Sequence, residues 1–152
     1  MLFEKSEEIV GDDRVRVVVD TNVFVSALYF GGTPRRIYNL IERGDLKPCF
    51  TQDTWIELTE TLMHVKFATE RARLSFSMDN LVALLQDKGT FIRAASFADR
   101  VIPHDPSDEM FLACAAVARA EYIISGDKHL LSPKEFEGIP ILTPRQFLAR
   151  VQ

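Results

Sequence analysis

The chain has 152 residues, 47% of them hydrophobic and 26% charged, with a formal net charge of −4. These values suit one soluble globular domain with a real core. They exclude a membrane-spanning chain, because no apolar run nears the roughly 18 residues that a bilayer needs, and the acidic start MLFEKSEEIV lacks the basic region and apolar run of a secretory leader.

Two cysteines, Cys49 and Cys114, sit in apolar surroundings. They form neither a metal knuckle nor a disulfide framework, and they suit a reducing cytosol. The charge is unevenly placed. Residues 1–13 hold five acids (Glu4, Glu7, Glu8, Asp12, Asp13) against Lys5, which accounts for the whole −4, and residues 14–152 hold 17 of each sign. The acidic head is expected to be a poorly ordered tail of residues 1–13, with the folded domain over 14–152.

In chain order, Val15, Val17, Val18 and Val19 predict a buried strand over 15–19 that runs straight into Asp20. Residues 22–29 predict a helix interrupted by Gly31 and Gly32. Thr33-Pro34 opens a second helix, expected over 33–43 and closed by Gly44. A short strand is expected over 47–51. Trp55, Leu58 and Leu62 at i, i+3, i+7 predict a helix over 53–64. One or two helices are expected over 70–88 and a strand over 90–94. Asp105 as cap and Pro106 at the first position begin a helix over 105–119. The stretch EYIIS predicts a strand over 121–125, and a last strand over 139–142 and helix over 144–151 close the chain. This alternation predicts an α/β sandwich with a mostly parallel sheet, whose ligands bind at the carboxyl ends of the strands near a switch point.

Several acids fall where such a sheet binds its ligand, and each also has a structural use. Asp20 ends a core strand, where a turn or helix cap is as good a reading as a ligand. Asp105 and Asp108 begin a helix, where they suit its dipole. The apolar face behind them (Phe111, Leu112, Ala115) should press that helix onto the sheet. Asp127 repeats the order strand, acid, helix in YIISGDKHLL. In WIELTETLMHVKF, Glu60 reads as a solvated face, and periodicity alone leaves Glu57 undecided.

Taken together, VVVDTNVFVSALYFGGTPRRI, WIELTETLMHVKF and DPSDEMFLACAAVARAEYIISGDKHLL resemble the PIN-domain family over roughly residues 15–145. Within it they are similar to prokaryotic single-domain members assigned as toxins of toxin–antitoxin systems. The resemblance implies a three-layer α/β/α fold. It also implies an acid set of Asp20, Glu57, Asp108 and Asp127, with Asp105 as an accessory. It selects Glu57 over Glu60 and Asp108 over Asp105. Asn22 and Ser125 match polar positions that orient carboxylates or water. His104 departs from the pattern, standing where close relatives often carry Arg, and it is given no role.

Four carboxylates drawn together would repel, and a divalent cation relieves this. All-oxygen ligands favour Mg²⁺ or Mn²⁺ over Zn²⁺. The implied activity is hydrolysis of RNA phosphodiesters by an endoribonuclease, with one or two ions activating water. Asp20 and Asp108 would be the main ligands. If these four acids are occupied by metal, residues 14–152 carry a balance of +4, compatible with RNA as partner. Arg35, Arg36, Lys66 and Lys128 are candidate phosphate contacts, with solvated surface charge as the plain alternative for each. The family also implies a cognate antitoxin, and homodimerisation, for which Phe24, Phe30 and Tyr38 are candidates against core packing. Two rivals stand beside this reading. One is a phosphohydrolase using Asp20 as nucleophile, weakened by Asn at position 22 and by the loose match of Lys128. The other is a PIN-like module that binds RNA or protein without cleaving it.

Overall fold

The computed structural model describes residues 13–93 and 106–151, excepting the side chains of residues 106–108. All of the acidic head except Asp13 lies outside the described residues, as do Asp105, His104 and the later part of the strand expected over 90–94. Among the described residues six strands form one sheet in the order β3-β2-β1-β4-β6-β5. They are β1 (Val15–Val19), β2 (Leu46–Phe50), β3 (Thr90–Phe91), β4 (Tyr122–Ile124), β5 (Glu135–Phe136) and β6 (Ile139–Leu142). Every pairing is parallel except β5 with β6. The fold is the expected α/β sandwich on a mostly parallel sheet.

The valines of β1 show how the layers form. Side chains alternate across a strand, so Val17 and Val19 enter one core and Val18 the other. Ile124 and Ile123 of β4 divide in the same way. The first core is covered by α1 (Thr21–Val25), α2 (Gly32–Glu42), α3 (Gln52–Leu62), α5 (Met78–Lys88) and α8 (Pro144–Val151). The second is covered by α6 (Pro106–Ala118) and α7 (Lys128–Leu131). A short helix α4 (Ala68–Ala72) carries no buried residue. Among the described residues no helix is long and apolar enough to cross a membrane.

Three local differences from the expected elements have physical causes. The helix after β1 ends at Phe30, one residue past the expected end, but its last turn, Ser26–Phe30, is widened into a π-helical turn, closed by Gly31 and Gly32 at φ 80° and 70°. The next helix begins at Gly32, so Pro34 is its third residue; the first turn needs no intrahelical N–H donor, so proline fits there too. The hairpin of β5 and β6 was not expected, because two residues carry no readable periodicity. Its turn places Glu137 and Gly138 at φ 49° and 81°, the conformation of a tight two-residue hairpin. The expected closure by Gly44 is present. Its N–H donates to Ile41 O and that of Asp45 to Leu40 O, which satisfies the last carbonyls of α2. Phe24 and Tyr38 are core residues at 2% and 4% exposure, and of the three aromatics considered for a dimer face Phe30 alone is exposed.

Candidate active site

The sheet reverses its direction of growth at β1. From β1 the chain adds β2 and β3 on one side, then returns to place β4 on the other. The carboxyl ends of β1 and β4 therefore flank the switch point, where open α/β sheets bind their ligands. Asp20 follows the last residue of β1, and its N–H donates to Ile124 O at the end of β4 at 2.9 Å.

Asp20 is buried, 5% exposed. Its Oδ1 accepts from the Asn22 N–H at 3.3 Å, which caps α1. Its Oδ2 accepts from the Ser125 hydroxyl at 2.7 Å, the short length of a charge-assisted bond. Ser125 is fully buried, and its Oγ also accepts from the Asp127 N–H at 2.9 Å. One hydroxyl thus ties the exit of β1 to the exit of β4. Asp127 is half-buried and caps α7, with Oδ1 accepting from the His129 N–H at 2.8 Å. Both acids serve as caps, and a carboxylate has more acceptor sites than one cap bond uses.

Beside Asp20, Thr21 Oγ1 is buried and has no hydrogen-bond partner among the described residues. A buried hydroxyl oxygen without a protein partner is one that a water or an ion can satisfy. The donors gathered here are carboxylate and hydroxyl oxygens, the set that a hard divalent ion takes. Among the described residues no three His, Cys, Asp or Glu side chains form a group that holds a metal ion.

Asp108 is the third residue of α6, and its side chain lies outside the described set. The placement of its backbone follows from the other end of the helix. Arg119, just past α6, gives its carbonyl to Nε and Nη2 of Arg16 at 3.0 and 2.9 Å, near the start of β1. Leu112, Cys114 and Ala115 press α6 onto the sheet. With its last turn at the amino ends of the strands, a helix of 13 residues reaches about 20 Å back toward the carboxyl ends. Asp105 lies outside the described residues.

Glu57 lies on α3, which starts just beyond β2 with Thr51 and Thr54 in a reciprocal cap. Trp55, Leu58 and Leu62 are buried. Glu57 is half-buried and accepts from the Thr61 hydroxyl at 3.5 Å, whereas Glu60 is exposed. Of the candidate phosphate contacts, Arg35 is occupied: it donates to Ala27 O at 3.4 Å and lies 5.5 Å over the Tyr38 ring. Lys66 stacks over Phe67 at 5.1 Å. Arg36 and Lys128 are exposed.

Next to Asn22 and Asp127 opens a cavity of about 440 Å³, also lined by Ser26, Thr33, Thr143 and Arg145. Those four residues do not stand out in the sequence as site residues. The available signal was Leu142-Thr143-Pro144, a third strand exit running into a helix, on the strand beside β4.

A family model for the PIN domain matches residues 16–129, three quarters of the chain. No curated protein matches it.

Proposed function

The chain belongs to the PIN-domain family, whose members are typically metal-dependent nucleases, and from that premise we propose that this protein is an endoribonuclease using Mg²⁺ or Mn²⁺. The observation that carries the reading is the buried Asp20 carboxylate at the switch point, held by Ser125, which also holds Asp127. Asp20, Asp127, Asp108 and Glu57 would hold the ion. When bound, it would lower the pKa of a water and offset charge on the leaving oxygen. The protein's own part is to fix the carboxylates before the ion arrives. Ser125 fixes Asp20 and the backbone of Asp127, while the Asn22 N–H fixes the second oxygen of Asp20. RNA is the expected polymer, cut to leave 5′-phosphate and 3′-hydroxyl ends.

The test uses purified protein, labelled single-stranded RNA, and Mn²⁺ or EDTA, beside Asp20→Asn. Wild type is expected to cleave with Mn²⁺ alone, and Asp20→Asn to lose at least a hundredfold in rate. A second readout needs no turnover. Mn²⁺ at 100 times its Kd should stabilise the wild type by about 2.7 kcal/mol and leave the variant unmoved. Equal cleavage by the variant would reject the assignment.

On the resemblance alone, the role extends to the toxin of a type II toxin–antitoxin system in the cytoplasm, working as a homodimer and held in check by a cognate antitoxin. Induced expression should then arrest growth, and co-expression of the product of an adjacent small reading frame should relieve it. Growth unaffected by the active enzyme would remove the toxin role and leave the nuclease.

A further inference from the structure

Exposed apolar surface is concentrated at one place. Among the described residues five large apolar side chains are exposed, and three of them, Phe30, Met63 and Val65, gather where the π-helical turn meets the end of α3. Val65 is 81% exposed and Phe30 65%. Local contacts hold them together. The Tyr29 hydroxyl donates to Leu62 O at 2.7 Å, and the Phe67 ring lies 5.3 Å from that of Tyr29 and 6.4 Å from that of Phe30. Arg71 ties α4 to the same end of α3, donating from Nη1 to Leu62 O and His64 O, each at 2.8 Å. Neither the 3-10 turn Val65–Phe67 nor α4 buries a residue. Val65, Ala68 and Ala72, at i, i+3, i+7, form an apolar side that is exposed along its length.

The rim of this patch is positive. Between Met63 and Arg73 stand Lys66, Arg71 and Arg73 against Glu70 alone. Arg71 donates to carbonyls and Lys66 lies over the Phe67 ring, contacts that neutralise no charge. The segment before β1 has the complementary character. Residues 1–12 carry four acids against Lys5, and Leu2, Phe3, Ile9 and Val10 stand at i, i+1, i+7, i+8, the spacing of one helix face. A lone helix this short is marginal in water, so such a stripe needs a surface to lie on. The patch is within reach. Arg14, just past the segment, donates to Lys88 O at 3.1 Å, at the end of α5. From there α5 leads back about 16 Å to Met78, and a five-residue loop joins that end to α4. Twelve residues reach up to about 40 Å when extended, and over half of that with residues 2–10 helical.

We propose that residues 1–12 dock on this patch of their own chain, the stripe of Leu2, Phe3, Ile9 and Val10 covering Phe30, Met63 and Val65 while the acids lie toward Lys66 and Arg73. The inference is independent of the nuclease reading, since the patch shares no residue with the acid site or its cavity. Apolar burial drives the contact, and opposite charge sets its orientation. A weak interaction suffices, because tethering holds the segment at an effective concentration in roughly the millimolar range. Docked, the segment shields an apolar surface of the kind that attracts other proteins or further copies. Released, it opens that surface.

The test uses the full chain. Glu8→Cys carries a nitroxide on the side away from the stripe, and Cys49 and Cys114 are buried and stay unlabelled. In an isotope-labelled sample the amide signals of Phe30, Val65 and Ala68 should lose at least half their intensity relative to the reduced nitroxide, while those of β6 keep theirs. Leu2→Asp/Ile9→Asp, which alters neither of the two cores, should restore the lost signals. Val65→Asp should do the same from the other side of the contact, with melts to confirm folding. A second sample mixes nitroxide-bearing protein that has no isotope with isotope-labelled protein that has no nitroxide, and there the signals should stay intact. No loss, loss centred on another face, loss unchanged by Leu2→Asp/Ile9→Asp, or equal loss in the mixed sample each overturns the proposal. The last of these would put the segment of a second copy on the patch.

Discussion

Replacing Ser125 by alanine removes one atom that holds two strand exits together. Oγ donates to Asp20 Oδ2 at 2.7 Å and accepts from the Asp127 N–H at 2.9 Å, and the residue is fully buried. A hydrogen bond to a charged group contributes about 1.5–3 kcal/mol, and an orphaned buried N–H costs about 1–3 kcal/mol. The Asp127 N–H can recover part of its loss from solvent, because that residue is half-buried. A net loss of about 2–4 kcal/mol follows. At about 2–4 °C per kcal/mol for a domain of this size, Tm should fall by about 4–16 °C. Thermal unfolding followed by circular dichroism reads this directly. The cause is isolated by a double-mutant cycle of Ser125→Ala with Asp20→Asn, for which a coupling of about 1–2 kcal/mol is expected between directly bonded groups. A Tm within 1 °C of wild type, or a coupling near zero, would show that the hydroxyl does not hold the carboxylate.

Gly89 closes α5 where an added Cβ would lie 2.7 Å from Leu85 O and 3.0 Å from Pro48 O, both backbone atoms. Gly89→Ala should therefore cost about 1–3 kcal/mol by overpacking, read as a shifted urea midpoint with unchanged slope. Burial pushes the thiols of Cys49 and Cys114 up to about 12, so native protein should resist iodoacetamide at pH 8 and react fully in urea. The folded state keeps both thiol protons after the unfolded chain begins to lose them, so this stabilisation is complete below about pH 9 and is lost as pH rises toward 12, at up to about 2.7 kcal/mol per pH unit for the pair. A Cys49→Ala/Cys114→Ala variant should show a flatter alkaline slope, and an equal slope would place the effect elsewhere. Leu112, fully buried between α6 and the sheet, should cost about 2–5 kcal/mol as alanine. By holding the start of α6 in place it should also lower Mn²⁺ affinity, measured calorimetrically below Tm.

Much of the fold was legible because its signals are local. The valine run of β1, the periodic apolar face of α3 and the glycine closing α2 each depend on neighbours within a few residues. Strand limits moved by a residue, since Ser125, expected at the end of β4, lies just beyond its ladder with β1. The π-helical turn and the β5–β6 hairpin leave no signal in the sequence, because neither has a period long enough to read. The site divides in the same way. Asp20 and Asp127 were visible as acids at strand exits, and Asn22 and Ser125 entered through family resemblance. The role of the Ser125 hydroxyl between the two acids was not visible, because its partners are 105 and 2 residues away. Arg145 carried no motif.

The sequence by itself determined the alternating elements, the apolar helix behind Asp108 and the acids standing at strand exits, because period, caps and turn chemistry are written in short stretches. Only the tertiary structure decided which exits are neighbours. Strand order is set by how the whole chain packs its two cores, and it brings β4 beside β1 across about 100 residues, turning two ordinary helix caps and a serine into one bonded unit with a cavity at its side.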